Sequence, residues 1–253
     1  MKLYHDITLL YKRTLMQTLR NMIWVFVGVS TPILYLALFT PLLKKLANGP
    51  GFTTGHVLDI FLPGILALMA FSGGISQGFG TIFEIQSGLV ERLRVTPASR
   101  LALLLSPILA AITFNYCFMV LVVVIGMALG FHLHLLGLLG VFVLLGLVMA
   151  AFAAFSIALA LLTKEISSFA APVNGLNLPL LLLSGVLLPL TLAPGWMVVL
   201  AHFNPLYYAV EGARTMATGS FSGAAVWQSF AVMIPLTALL LWWATRVYRK
   251  AVA

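Results

Sequence analysis

Apolar residues run through this chain in long blocks broken by short polar or basic stretches, and block length is the first guide to its elements. About twenty apolar residues carry a helix across the hydrocarbon core of a bilayer. Six blocks reach that length: 22–43, 57–83, 101–130, 137–163, 168–188 and 225–245. The third is long enough to suggest a tilt, or a break near Pro107. Strands of a membrane barrel would instead alternate apolar and polar residues over about ten positions. The pattern therefore predicts an all-α membrane protein with six transmembrane helices, organised as one membrane domain spanning 1–253.

Three stretches depart from the pattern. In residues 1–21, Tyr4, Ile7, Tyr11, Leu15 and Leu19 recur every three or four positions while Lys12, Arg13 and Arg20 fall largely on other faces, which predicts an amphipathic helix lying along an anionic leaflet. Residues 84–100 carry five charges in seventeen positions, with Pro97 placed to end a short helix over Leu89–Thr96. A turn needs only about four residues, so the extra length reads as a binding surface. Residues 189–210 are apolar but interrupted by Pro189, Pro194, Gly195, Asn204 and Pro205. They are too broken for one span and too apolar for a solvated loop, which predicts short re-entrant helices. Trp196, Tyr207 and Tyr208 suit the membrane interface, where a ring keeps one polar edge wet.

Composition strengthens the membrane reading. Hydrophobic residues make up 62% of the 253 and charged ones 8%, against roughly 25% charged in soluble domains. The basic residues also orient the chain. With the N-terminus inside, eleven Lys and Arg fall on the cytoplasmic side and three, Lys44, Lys45 and Arg214, outside, so both termini are expected in the cytoplasm. The single cysteine, Cys117, allows no internal disulfide and is expected to be a small buried hydrophobe. No pattern of a cleavable signal peptide is visible.

Candidate chemistry is sparse. There is no Gly-x-x-x-x-Gly-Lys-Ser/Thr phosphate loop, and Phe71-Ser72-Gly73-Gly74 lies inside a predicted span, where small residues serve close packing. Gly74-x-x-x-Gly78 and Gly126-x-x-x-Gly130 have the spacing of helix contacts. His132 and His134 alone make a poor metal site, and no catalytic constellation is present. The acids Asp6, Asp59, Glu84, Glu91, Glu165 and Glu211 fall at span ends or in loops, and only Glu211 approaches membrane depth. An ion-coupled carrier relies on such groups deep in its spans. A secondary transporter or channel, and a membrane enzyme, are the rival classes. A transporter with neither a nucleotide site nor an ion relay takes its energy from a partner.

The order of elements resembles the ABC transporter type-2 permeases, the class of daunorubicin-resistance, nodulation lipo-oligosaccharide and polysaccharide export permeases. The local match is Ser184-Gly185, Pro189, Trp196, Asn204-Pro205-x-Tyr207 and Glu211-x-x-Arg214, with Gly88-x-x-Glu91 and Pro97 in the charged loop. The resemblance implies that 84–100 is a coupling helix docking on a separate ATPase, with Gly88, Glu91, Arg92, Arg94 and Pro97 at the contact. The helix at 1–21 would complete that surface. Glu84 and Gln86 stand where many relatives carry a basic residue, so charge pairing with the ATPase is expected to be rearranged. The resemblance further implies a re-entrant gate of Pro189, Trp196, Asn204, Pro205, Tyr207, Glu211 and Arg214. It implies a homodimer of permeases with two ATPase copies in the bacterial inner membrane. ATP and Mg would be bound by the ATPase, no cofactor or metal by this chain, and no nucleic acid is involved. Phe26, Tyr35, Phe39, Met69, Phe71, Asn174, Asn177 and Leu181 would line the substrate path. That set suits drug-like or amphipathic cargo first and a glycolipid or lipo-oligosaccharide second.

Overall fold

A computed structural model describes residues 2–20, 26, 28, 30–38, 41, 57–88, 100–131, 134–186, 193–221 and 223–251. Every regular element among them is a helix: α1 (Lys2–Arg20), α2 (Val57–Gln86), α3 (Arg100–Ala128), α4 (Leu135–Thr163), α5 (Ile166–Leu183), α6 (Gly195–Ala201), α7 (Pro205–Ala217) and α8 (Ala224–Ala251), besides helical residues 30–38. Five of these helices, α2, α3, α4, α5 and α8, are long and apolar enough to cross a membrane. The expected first span at 22–43 is described only in part, and Lys44, Lys45 and His132 lie outside the described residues.

α4 is the centre of the bundle because it is apolar on every side. Its buried positions include Ala151, Ala153, Ala154, Ser156, Ala158 and Ala160, and such small side chains let neighbouring backbones come close. Close packing and interhelical hydrogen bonds, rather than water exclusion, hold helices together in lipid. α2 and α8 pack on α4 most extensively. On the α2 side, a Cβ at Gly74 would sit 2.9 Å from the Met149 carbonyl oxygen, and one at Gly78 would sit 2.3 Å from Ser156 Oγ and from the Phe169 ring. The Ser156 hydroxyl donates to the Ile75 carbonyl and accepts from the Gly78 N–H at 2.9 Å. On the α8 side, Thr237 donates to the Leu147 carbonyl at 3.1 Å. The Gly74/Gly78 pair is thus a helix contact. The Gly126/Gly130 pair is not, since Gly126 meets Leu62 while Gly130 faces open space at the end of α3.

The termini of the helices follow local chemistry. α4 stops at Lys164, which adopts the left-handed conformation at φ 57° and donates its N–H to the Ala160 carbonyl, and α5 begins two residues later, after an extended Glu165. α2 ends at Gly88, φ 70°, whose N–H bonds the Ile85 carbonyl. A glycine takes this conformation without the Cβ penalty.

Several expectations change. α3 passes through Pro107 without a break, because a proline's missing donor removes only one rung of a ladder that tertiary packing supports. Cys117 is exposed on α3 rather than buried. α1 is a helix as expected, but it lies against α3, where Tyr11 donates to Thr113 Oγ1 at 3.1 Å and Ser106 Oγ donates to the Ile7 carbonyl. Ile7, Tyr11 and Leu15 are half-buried there and Leu19 is exposed. Among its described residues the interrupted segment forms two helices, and the second, α7, extends to Ala217, beyond the expected limit at 210.

Candidate functional site

The densest polar construction among the described residues is at α7. Asn204 starts that helix: its Oδ1 accepts from the Leu206 N–H at 3.0 Å, and Pro205 occupies the first turn, where its missing donor costs nothing. The same side chain reaches across to α5, its Nδ2 donating to the Leu180 carbonyl at 2.7 Å. Thirteen residues rise only about 20 Å, too short to cross the hydrocarbon core. α7 is nevertheless no surface lid, since it packs on α2, α4 and α8 and buries Leu206, Ala209, Val210, Ala213 and Met216.

Arg214 fixes that packing. Counted among external loop charges by sequence, it is 7% exposed inside the protein. Its Nη1 donates to Glu211 Oε1 at 2.8 Å, Nε to the Ile60 carbonyl at 3.0 Å, and Nη2 to the Gly185 carbonyl at 2.6 Å and the Val186 carbonyl at 3.4 Å. One guanidinium therefore joins α7, the first turns of α2 and the turn that follows α5. The turn can come this close because a Cβ on Gly64 would lie 2.2 Å from the Val186 carbonyl oxygen, and Gly185 supplies a positive φ of 70°. Burial lowers the guanidinium's pKa and Glu211 opposes that shift; arginine stays charged in either case. A buried cation demands this many acceptors, because an unpaired one is prohibitively costly.

Beside it lies an aromatic group, His202, Tyr207 and Tyr208, with the Tyr207 and Tyr208 ring centroids 5.3 Å apart and the Tyr208 hydroxyl donating to the His202 carbonyl at 3.0 Å. Burial, then Glu211, pushes the Tyr207 phenol above its usual pKa. α6 stands outside the bundle, with Trp196, Val199, Leu200 and Phe203 exposed in a row. Pro189 lies outside the described residues. Tyr207, Glu211 and Arg214 are thus brought near one another, Asn204 and Pro205 stand at the start of the same helix, and Trp196 is exposed on α6.

Of the charged loop, Gly88 is the terminator of α2, and Glu91, Arg92, Arg94 and Pro97 lie outside the described residues. Glu84 differs from expectation. It belongs to the last turn of α2 and is half-buried.

The positions expected along a substrate path divide by exposure. Phe26 is exposed, Tyr35, Met69 and Leu181 are half-buried against the core, and Phe39 lies outside the described residues. Phe71 is wholly inside, its ring edge-on to Phe152 at 4.6 Å. On α2 it is Ser72, Ser76, Gly80, Phe83 and Gln86 that face outward. Asn174 is exposed on α5 and Asn177 is half-buried. Sequence reasoning missed the backbone carbonyls of Ile60, Gly185 and Val186, because no residue type announces a carbonyl acceptor. Ser184-Gly185 was the only signal.

Comparison with known proteins bears on all of these residues. Residues 5–217 match the family model described as ABC-2 type transporter. A protein of Cyanophora paradoxa named "Putative transport permease ycf38" is 32% identical over 217 residues, covering 85% of this chain and 75% of the relative. Proteins of the same name from Pyropia yezoensis and Porphyra purpurea are 29% and 28% identical, each over 84% of this chain and 74% of the relative. The chain belongs to the ABC-2 type transporter family.

Proposed function

From that membership, we propose that this chain is the transmembrane permease subunit of an ATP-driven exporter whose hydrolysis is done by a separate ABC ATPase in two copies. The observation that carries the reading is a transporter-family chain that holds no phosphate loop of its own. Energy then enters through a docking surface, and the charged stretch 84–100, with Gly88, Glu91, Arg92, Arg94 and Pro97, is that surface. Two copies of the permease pair, and ATPase closure switches them between inward- and outward-open states. The chain sits in the plasma membrane with both termini in the cytoplasm, and it performs no catalysis itself.

At the outer side, the Asn204–Arg214 construction is the pivot of the exit and α6 its mobile part. Arg214 bonds three carbonyls in two other segments of backbone, whereas α6 touches little besides α5. Cargo passes along α2 and α5, which run antiparallel, with Phe169 against Gly78 and Phe79 at one end and Val186 against Gly64 at the other. Apolar, drug-like or amphipathic molecules are the first reading. A cargo with a hydrogen-bonding head, such as a lipo-oligosaccharide, is the second, favoured by the outward Ser72, Ser76 and Asn174.

The test is purification from native membranes followed by reconstitution. An ATPase with Walker motifs should copurify, and uphill movement of a lipophilic dye should require that subunit and ATP. Uphill transport by the isolated chain, driven by an ion gradient, would put it in the rival class.

A further inference from the structure

Two polar side chains within the spans lack partners. The carboxamide oxygens of Asn115 on α3 and Asn177 on α5 are both buried, and neither accepts a hydrogen bond among the described residues. Such an oxygen costs free energy that nothing offsets. Both stand beside the same part of α2. A Cβ at Gly73 would sit 2.2 Å from Asn115 Nδ2. Asn177 lies one turn beyond Val173, whose apolar cluster takes in Ile75 and Phe79 of α2. A helix turns about 100° per residue, so the exposed Ser72 and Ser76 fall between the Gly73 side and the Ile75–Phe79 side. The outward face of α2 thus carries two hydroxyls with an unpartnered acceptor at each edge. Exposed positions on the other spans are those that lipid favours: Cys117, Val120 and Val124 on α3, Val143 on α4, and Ile234 and Leu239 on α8. Polar groups at membrane depth are tolerated where they line a water-filled cavity.

We propose that this face of α2, edged by Asn115 and Asn177, is a hydrated cargo subsite for a neutral head group that bears hydroxyls. The proposal rests on the reading of α2 and α5 as the cargo path and decides between its two cargo classes. The unpartnered atoms are acceptors, so the ligand must donate. The Ser76 hydroxyl is already bonded to the Gly73 carbonyl at 2.8 Å, which leaves it only the role of acceptor as well. Charge is unwelcome. α3 and α5 carry no acid, and the acids of α2, Asp59 and Glu84, stand at its ends, so an ammonium would have no counter-ion on these helices. A carboxylate or phosphate would set oxygen against oxygen. A hydroxyl gives each carboxamide oxygen the donor it lacks.

Hydration and head group are read separately in proteoliposomes of the full chain, with a membrane-impermeant methanethiosulfonate reagent on both sides. The parent, whose one thiol is Cys117 on the apolar face of α3, should stay unlabelled. In a Cys117→Ala background Ser72→Cys and Ser76→Cys should label, and Leu239→Cys should not. A silent thiol at either serine, or equal labelling of Leu239→Cys, overturns the hydrated face. Octyl glucoside below its micellar concentration should then protect Ser72→Cys. Octyl dimethylphosphine oxide, which has the same chain and a neutral head without a donor, should not. Asn115→Leu and Asn177→Leu each remove one acceptor, and each should raise the glucoside concentration needed for protection about fivefold, the worth of one neutral hydrogen bond. Equal protection by the two amphiphiles, or protection unchanged in both variants, overturns the head-group assignment. Because copurification of an ATPase tests the exporter reading separately, either can fail while the other stands.

Discussion

Arg214 carries more of the structure than any other single side chain described, and removing its charge should show it. Arg214→Gln leaves Glu211 without a cation and the Ile60 and Gly185 carbonyls without their donor. Breaking a buried pair from one side costs about 3–5 kcal/mol. Glu211 is only partly enclosed, its side chain 33% exposed, and Glu211→Gln removes the counter-ion but keeps a neutral acceptor and leaves the three carbonyl bonds of Arg214 in place, so a smaller loss, about 1.5–3 kcal/mol, is expected. Thermal unfolding of the purified protein in detergent should therefore rank Arg214→Gln well below Glu211→Gln; equal midpoints would mean the guanidinium is not the fastener. Glu165 is the opposite case. Fully exposed, it accepts from Ser167 Oγ at 2.8 Å and Ser168 Oγ at 3.1 Å, and these bonds hold its carboxyl below the ordinary 4.5. A depressed folded pKa gives stability that is present above the unfolded value and lost as pH falls through the folded one. The midpoint difference between the parent and Glu165→Gln should be present at neutral pH and vanish below the ordinary carboxylate range. A difference that persists in acid would assign it to something other than ionisation.

Helix contacts make the next scale, and two glycines on α2 separate close approach from flexibility. Gly64→Ala would place a Cβ 2.2 Å from a backbone oxygen that no rotamer change can move. Overpacking of this kind costs about 1–3 kcal/mol. Gly80→Ala meets nothing within 4 Å, and alanine is better than glycine inside a helix by about 1 kcal/mol. Melting should fall for the first and hold or rise for the second. The same result from both would mean that α2 does not approach the 184–186 turn as described. Elements were legible from sequence where lipid alone dictates them: α2, α3, α4, α5 and α8 match apolar blocks, and the prolines and Asn204 of the interrupted segment announced short helices. What was not legible depends on neighbours far along the chain. Arg214 reads as a loop charge until Ile60 and Gly185 surround it, Glu84 reads as part of the charged loop until α2 runs on through it, and Phe71 faces inward where Phe152 receives it. Hydrophobicity ranks residues, but in an all-apolar helix such as α4 it leaves no period from which to choose a face.

Taken whole, the molecule is unevenly packed, and that unevenness sets how a partner could act on it. In the apolar stretch of α2, 72% of residues are buried, against 11% in α5. α2 is a spine fixed to α4, whereas α5 is held at its ends by Phe169 and by the tie from Asn204 to Leu180. In the proposed dimer the open face of α5 meets the second copy. A cysteine at Asn174 in a Cys117→Ala background should then crosslink two chains in native membranes, while one at Leu239 on exposed α8 should not. Equal crosslinking at both positions would reject α5 as the seam. In the proposed coupling, force enters at the other end of the spine, and α2 runs without interruption from the Arg214 junction to Gly88. A rigid helix of thirty residues spans about 45 Å, so a tilt imposed at its charged end moves the junction at the far end. Glu91→Ala or Arg92→Ala should remove the handle and leave the spine. ATPase binding or cargo-stimulated ATP hydrolysis in the reconstituted complex should fall while the melting temperature stays within the usual range of a surface substitution. Full stimulation in both variants would move the docking surface elsewhere on the molecule.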